Sequence, residues 1–154
     1  MPYDLNNYVV SELRHALGRW MVSFLAAALI LIVGTSYFSM ARTGMVVEPA
    51  LRWILPNASA QTIGYLHIII RWSAHFAEYA LLSLVLIAGP LRGRPMTVLL
   101  ICVAVASLDE GLQGLRPART GSLFEVTLDS GGAVTMLALG LPSWASPREQ
   151  VLRP

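Results

Sequence analysis

The chain contains no lysine, one cysteine and few charges of either sign. Charged residues make up 13% of the 154 residues, against about 25% in soluble domains. That shortage excludes an ordinary water-soluble fold. Every basic residue is arginine, the net charge is only +2, and no basic stripe exists. No nucleic-acid partner is expected. Cys102 has no second cysteine to pair with and lies among Leu99, Leu100, Ile101 and Val103. It reads as a buried, inert thiol and carries no information on redox compartment. What the chain has instead is apolar residues, 55% of the total, and they fall in runs. The length allows one domain.

The runs predict an all-α membrane protein with four transmembrane helices, over about residues 20–40, 72–89, 96–113 and 123–141. About 20 apolar residues span a bilayer core as a helix. Trp20 to Phe38 carries no charge. It is longer than the apolar part of a signal peptide, so a retained span is favoured over cleavage near Ser39-Met40-Ala41. Glu48-Pro49 is expected to open a short interfacial or re-entrant helix over 48–55, because proline suits the first helical position. Pro56-Asn57-Ala58-Ser59 is a break and a helix cap. From Ala60 to Ala88 only Gly64 interrupts a helical pattern, which is longer than a bilayer needs. Gly89-Pro90 and Leu91-Arg92-Gly93-Arg94-Pro95 form a tight basic turn. Residues 143–154 are expected to be a mobile tail.

Four spans put Arg14, Arg19, Arg92, Arg94, Arg148 and Arg153 on one side, and Arg42, Arg52, Arg71, Arg116 and Arg119 on the other. The short 90–95 turn is the clearest cytoplasmic signal, so both termini are expected on the cytoplasmic side.

Against this apolar background the polar residues stand out. His75, Glu78 and Tyr79 share one helical face, with Arg71 a turn earlier. Asp109, Glu110 and Gln113 close the third run, and Glu125 and Asp129 open the fourth. All three sets fall at one end of the predicted bundle and could line one outward cavity. Five carboxylates face Arg71, Arg119, Arg116 and His75. Intramembrane carboxylates are costly, so water, a shared proton or a cation is needed to settle them. Plain structural roles also fit: His75 bonded to Glu78, Asp109 bonded to Gln113 across one turn, Glu110 at the headgroups, Tyr79 in packing.

Three motifs carry a resemblance: Arg71-x-x-x-His75-Phe76-x-Glu78-Tyr79; Asp109-Glu110-x-x-Gln113; and Arg119-x-Gly121-Ser122, followed by Glu125, Asp129, Gly131 and Ala133. Together, over about residues 71–133, they resemble the VanZ-like family of bacterial membrane proteins. Trp72 stands where that family usually has a lysine, Leu112 where it often has a histidine, and Glu125 where it usually has an aspartate. The ring here is therefore the more acidic. The resemblance implies a cell-envelope role, linked through the family's founding member to resistance to the glycopeptide teicoplanin. It implies no reaction.

Several functions remain open. Arg71, Arg119 and His75, with Tyr79, Glu110, Gln113, Glu125 and Asp129, could bind the head group of a membrane lipid or lipid-linked envelope precursor, since arginine suits phosphate. Alternatively, the chain is a membrane hydrolase or transferase on such a lipid. His75, Glu78 and Asp109 would then be catalytic, and Asp109, Glu125 and Asp129 could hold a divalent cation such as Mg²⁺ or Mn²⁺. A zinc site or a serine triad has less behind it. Proton-linked transport is disfavoured, because nothing ionisable continues past Val85 or Leu100. The ring could also be structural glue alone.

Overall fold

A computed structural model describes residues 5–33, 40–115 and 122–144. It holds five α-helices and, among the described residues, no strand. They are α1 (Leu5–Val33), α2 (Met40–Ile54), α3 (Ala60–Ala88), α4 (Pro95–Gly114) and α5 (Leu123–Trp144). Three of them, α1, α3 and α4, are long and apolar enough to cross a membrane. The chain is a helical membrane protein.

The expected fourth span needs correction. Helix α5 forms over the expected residues, but it is not apolar enough to count as a crossing. Glu125, Thr127, Asp129, Ser130, Gly131 and Gly132 dilute its first half. Helix α1 also begins well before residue 20, because Leu13, Arg14, Ala16 and Leu17 are good helix formers and extend the apolar run backwards. The short helix expected at 48–55 is α2, which starts at Met40 and carries Pro49 inside it rather than at its start. At 15 residues it is too short to span.

Local signals set the other boundaries. Ser59 caps α3, its Oγ accepting from the Thr62 amide at 3.1 Å. At 29 residues, α3 is roughly 44 Å long, which exceeds a hydrocarbon core of about 30 Å. The turn into α4 is tight. The Leu91 amide donates to Leu86 O and the Arg94 amide to Leu91 O, each at 2.9 Å. Gly93 has φ 76°, a conformation that favours glycine. Pro95 then opens α4.

Helices α3, α4 and α5 form the centre, with α5 packed chiefly on α3, while α1 and α2 flank α3. Tyr79, Leu82 and Leu86 meet Val98, Cys102 and Ala106 of α4 and Ala133 and Leu137 of α5 in the core. Cys102 is buried and free, as expected. Gly132 is the point of closest approach. A Cβ there would fall on the Phe76 carbonyl oxygen and lie 3.3 Å from the Ala80 amide nitrogen. Small residues permit such contact between membrane helices. Leu17, Met21, Phe24 and Leu25 of α1 point outward, as befits a surface solvated by lipid.

Candidate functional site

On α3 the stripe Arg71, His75 and Tyr79 repeats every fourth residue, so it stays on one side of the helix. That side meets α5. Arg71 Nη2 lies 3.5 Å from Glu125 Oε2, and His75 Nδ1 lies 3.5 Å from Asp129 Oδ1. One step of four on α3 matches one step of four on α5, so the two helices run parallel. The next contact down is Gly132 against Phe76 and Ala80. The glycine contact fixes the spacing at which both ion pairs form.

The two pairs differ in setting. Arg71 and Glu125 keep 15% and 18% of their side-chain surface, so this pair is partly exposed. Asp129 keeps none. His75 faces Asp129 at a distance suited to charge attraction, yet its Nδ1 and both Asp129 carboxylate oxygens lack a hydrogen-bond partner among the described residues. The Tyr79 hydroxyl, one turn further in, is likewise buried and unpartnered. Buried polar atoms in a protein interior are nearly always satisfied. Four such atoms on three adjacent side chains form a buried polar cluster.

Helix α4 supplies the third side. Gln113 Nε2 donates to Asp109 Oδ2 at 2.9 Å, the expected bond across one turn. Glu110 turns inward instead of facing headgroups: it is 4% exposed. Its Oε2 accepts from the Ser122 amide at 2.7 Å. A carboxylate is well placed there, since a helix N-terminus has free amides and positive dipole. Glu110 therefore ties the end of α4 to the start of α5. Its other oxygen, Oε1, has no hydrogen-bond partner among the described residues.

The structure thus brings together Arg71, His75, Tyr79, Asp109, Glu110, Gln113, Glu125 and Asp129. Glu78 is half-buried and makes no hydrogen bond or ion pair among the described residues; His75 takes Asp129 as its carboxylate, where the sequence suggested Glu78. Arg116 and Arg119 lie outside the described residues, as do Gly121 and the tail beyond residue 144. Trp72 and Phe124, next to Arg71 and Glu125, meet with their rings tilted by 58° and centroids 5.0 Å apart. The carboxylates offered to Mg²⁺ or Mn²⁺ are engaged separately: Asp109 with Gln113, Glu125 with Arg71, Asp129 with His75. Among the described residues no three His, Cys, Asp or Glu side chains converge as metal ligands.

A second polar contact escaped the sequence reading. His67, 2% exposed, places Nε2 3.0 Å from Thr43 Oγ1 and Nδ1 3.6 Å from Glu48 Oε1. This contact joins α2 to α3. The signal existed, because His67 continues the four-residue step of Arg71, His75 and Tyr79 one turn upstream. Its partners on α2 could not be read, since the sequence places Pro49 at a helix start and leaves Thr43 in a loop.

No protein-family model, no curated protein and no solved structure matches this chain.

Proposed function

We propose that this is a VanZ-like protein of the bacterial inner membrane, and that the cluster between α3, α4 and α5 binds the head group of a lipid or lipid-linked envelope precursor. The observation that carries the reading is the buried polar cluster: His75 Nδ1, Tyr79 Oη and both Asp129 oxygens have no hydrogen-bond partner among the described residues, with His75 and Asp129 facing each other at 3.5 Å. An unsatisfied polar group costs about 1–3 kcal/mol, and an intramembrane carboxylate more. A protein keeps such a cost where a ligand or a function recovers it. Partly exposed Arg71 offers a fork for phosphate, and Trp72 and Phe124 beside it offer an apolar wall. A role in glycopeptide resistance would follow from holding or shielding a surface precursor.

In this reading the Arg92–Arg94 turn and both termini face the cytoplasm, and the cluster opens outward. Helix α5 lies parallel to α3 and shares its depth. Packing against α3 and α4 carries α5 where its own hydropathy would not. Helix α2 rests at the outer interface, held by His67.

The test is the lipid content of the purified protein. Native mass spectrometry of wild type should show a co-purifying lipid or lipid-linked species, and Asp129→Asn and His75→Ala should lose it. Clean apoprotein from wild type would overturn the reading.

The enzyme alternative keeps one observation in its favour. His75 against a buried Asp129 has the form of a base with its orienter. It predicts a chemical change in a lipid extract incubated with wild type, absent with His75→Ala.

A further inference from the structure

At the opposite end of α3 from the cluster, a cavity of about 570 Å³ opens between α1 and the α3–α4 turn. Three guanidinium groups line it: Arg19 of α1, and Arg92 and Arg94 of the turn, with Trp20 beside them. We infer that this cavity binds the phosphate of an anionic membrane lipid.

Four features converge on that chemistry. First, none of the three arginines pairs with a carboxylate among the described residues, so their charge is available. Second, α4 begins at this cavity without a side-chain cap. The positive end of its dipole lies beside Arg94, the N-cap residue that lines the cavity, which favours an anion there. Third, α1 passes close to the turn: a Cβ at Gly89 would stand 3.8 Å from Arg19 Cβ, an ordinary packing distance. Fourth, Trp20 is 39% exposed and stands beside the outward apolar surface of Met21, Phe24 and Leu25. Tryptophan favours the headgroup level. A phosphate at the arginines would therefore have its acyl chains run along α1. A soluble anion would meet the same guanidiniums but gain nothing from that surface.

The site lies where α3 ends and α4 begins, two helices apolar enough to span, so its depth is that of a headgroup, and α1 passes alongside at Arg19 and Trp20. Basic pockets between membrane helices on the cytoplasmic side are known to take anionic lipid head groups. The inference does not rest on the polar cluster; neither site needs the other.

The test uses the full-length protein in mild detergent, stripped of lipid. Native mass spectrometry then follows retention of added phosphatidylglycerol, phosphatidylcholine or inorganic phosphate. Phosphatidylglycerol should be retained well above phosphatidylcholine, and inorganic phosphate should displace it only in large excess. Arg92→Gln and Arg94→Gln should each weaken retention about fivefold, from roughly 1 kcal/mol per basic residue. Arg14→Gln, a nearby exposed arginine of α1 outside the cavity, should leave retention unchanged. Wild type that shows no preference for phosphatidylglycerol would overturn the inference without reference to any variant. Retention insensitive to Arg92 and Arg94, or lowered equally by Arg14→Gln, would overturn the site. Inorganic phosphate binding as well as the lipid would make the ligand a soluble anion and overturn the lipid assignment.

Discussion

Asp129 and Glu110 are both buried acids, yet they ask for opposite readings. Glu110 spends one oxygen on the Ser122 amide, so its job includes holding α4 to α5. Glu110→Ala should lower stability by about 1.5–3 kcal/mol, the worth of a hydrogen bond to a charged group, measured by denaturant or thermal unfolding in detergent. Asp129 makes no hydrogen bond among the described residues. Asp129→Asn keeps the volume and removes a charge that burial disfavours. Its thermal midpoint should equal or exceed that of wild type while ligand retention is lost, as expected where a site is kept against stability. A large drop in the midpoint with ligand retained would instead make Asp129 a strut. Residue-level chemistry was legible on α3, where the step from Arg71 to His75 to Tyr79 marks one face. Which carboxylate each residue meets was not legible. Spacing along one helix puts Glu78 near His75, but the register of a second helix gives His75 to Asp129.

That register is a property of elements. Parallel packing of α3 and α5 depends on Gly132, where no side chain fits against Phe76 and Ala80. Gly132→Ala must push the helices apart and should cost about 1–3 kcal/mol or more. It should also loosen both ion pairs, seen as faster hydrogen exchange at the start of α5. Gly131→Ala, whose Cβ would meet only the Phe76 ring at 3.7 Å, should be close to neutral. The helices themselves were mostly readable: Ser59 as a cap, Gly93 in a turn and the 60–88 run all stand as expected. The misread boundaries have local causes. Pro49 suits a helix start by propensity, yet it sits inside α2, where the helix forgoes one backbone bond. The start of α1 was hidden because polar helix formers precede its apolar run.

At the scale of the whole molecule, two apolar helices, α3 and α4, hold α5, which is too polar to cross by itself, while α1 flanks α3. Hydropathy scores each segment alone and cannot see that α5 lays its carboxylates against α3 and α4. The two-sided topology has a direct check. Cys102 is buried, so the native thiol should be silent to a membrane-impermeant maleimide. Ser11→Cys and Ser146→Cys, one near each terminus, should both stay unlabelled in intact cells and react once the membrane is opened. Labelling of Ser146→Cys alone from outside would mean that α5 does not accompany α3 through the bilayer, and both termini would not share a side.

The central claim is that the buried polar cluster between α3, α4 and α5 is a ligand site. Thermal unfolding of the delipidated protein, with an envelope-lipid extract titrated back, tests it most directly, because a ligand of the native state raises the midpoint by mass action. The account predicts a midpoint that climbs with added extract in wild type and stays flat in Asp129→Asn and His75→Ala. A flat response in wild type, or an equal rise in all three proteins, would contradict it.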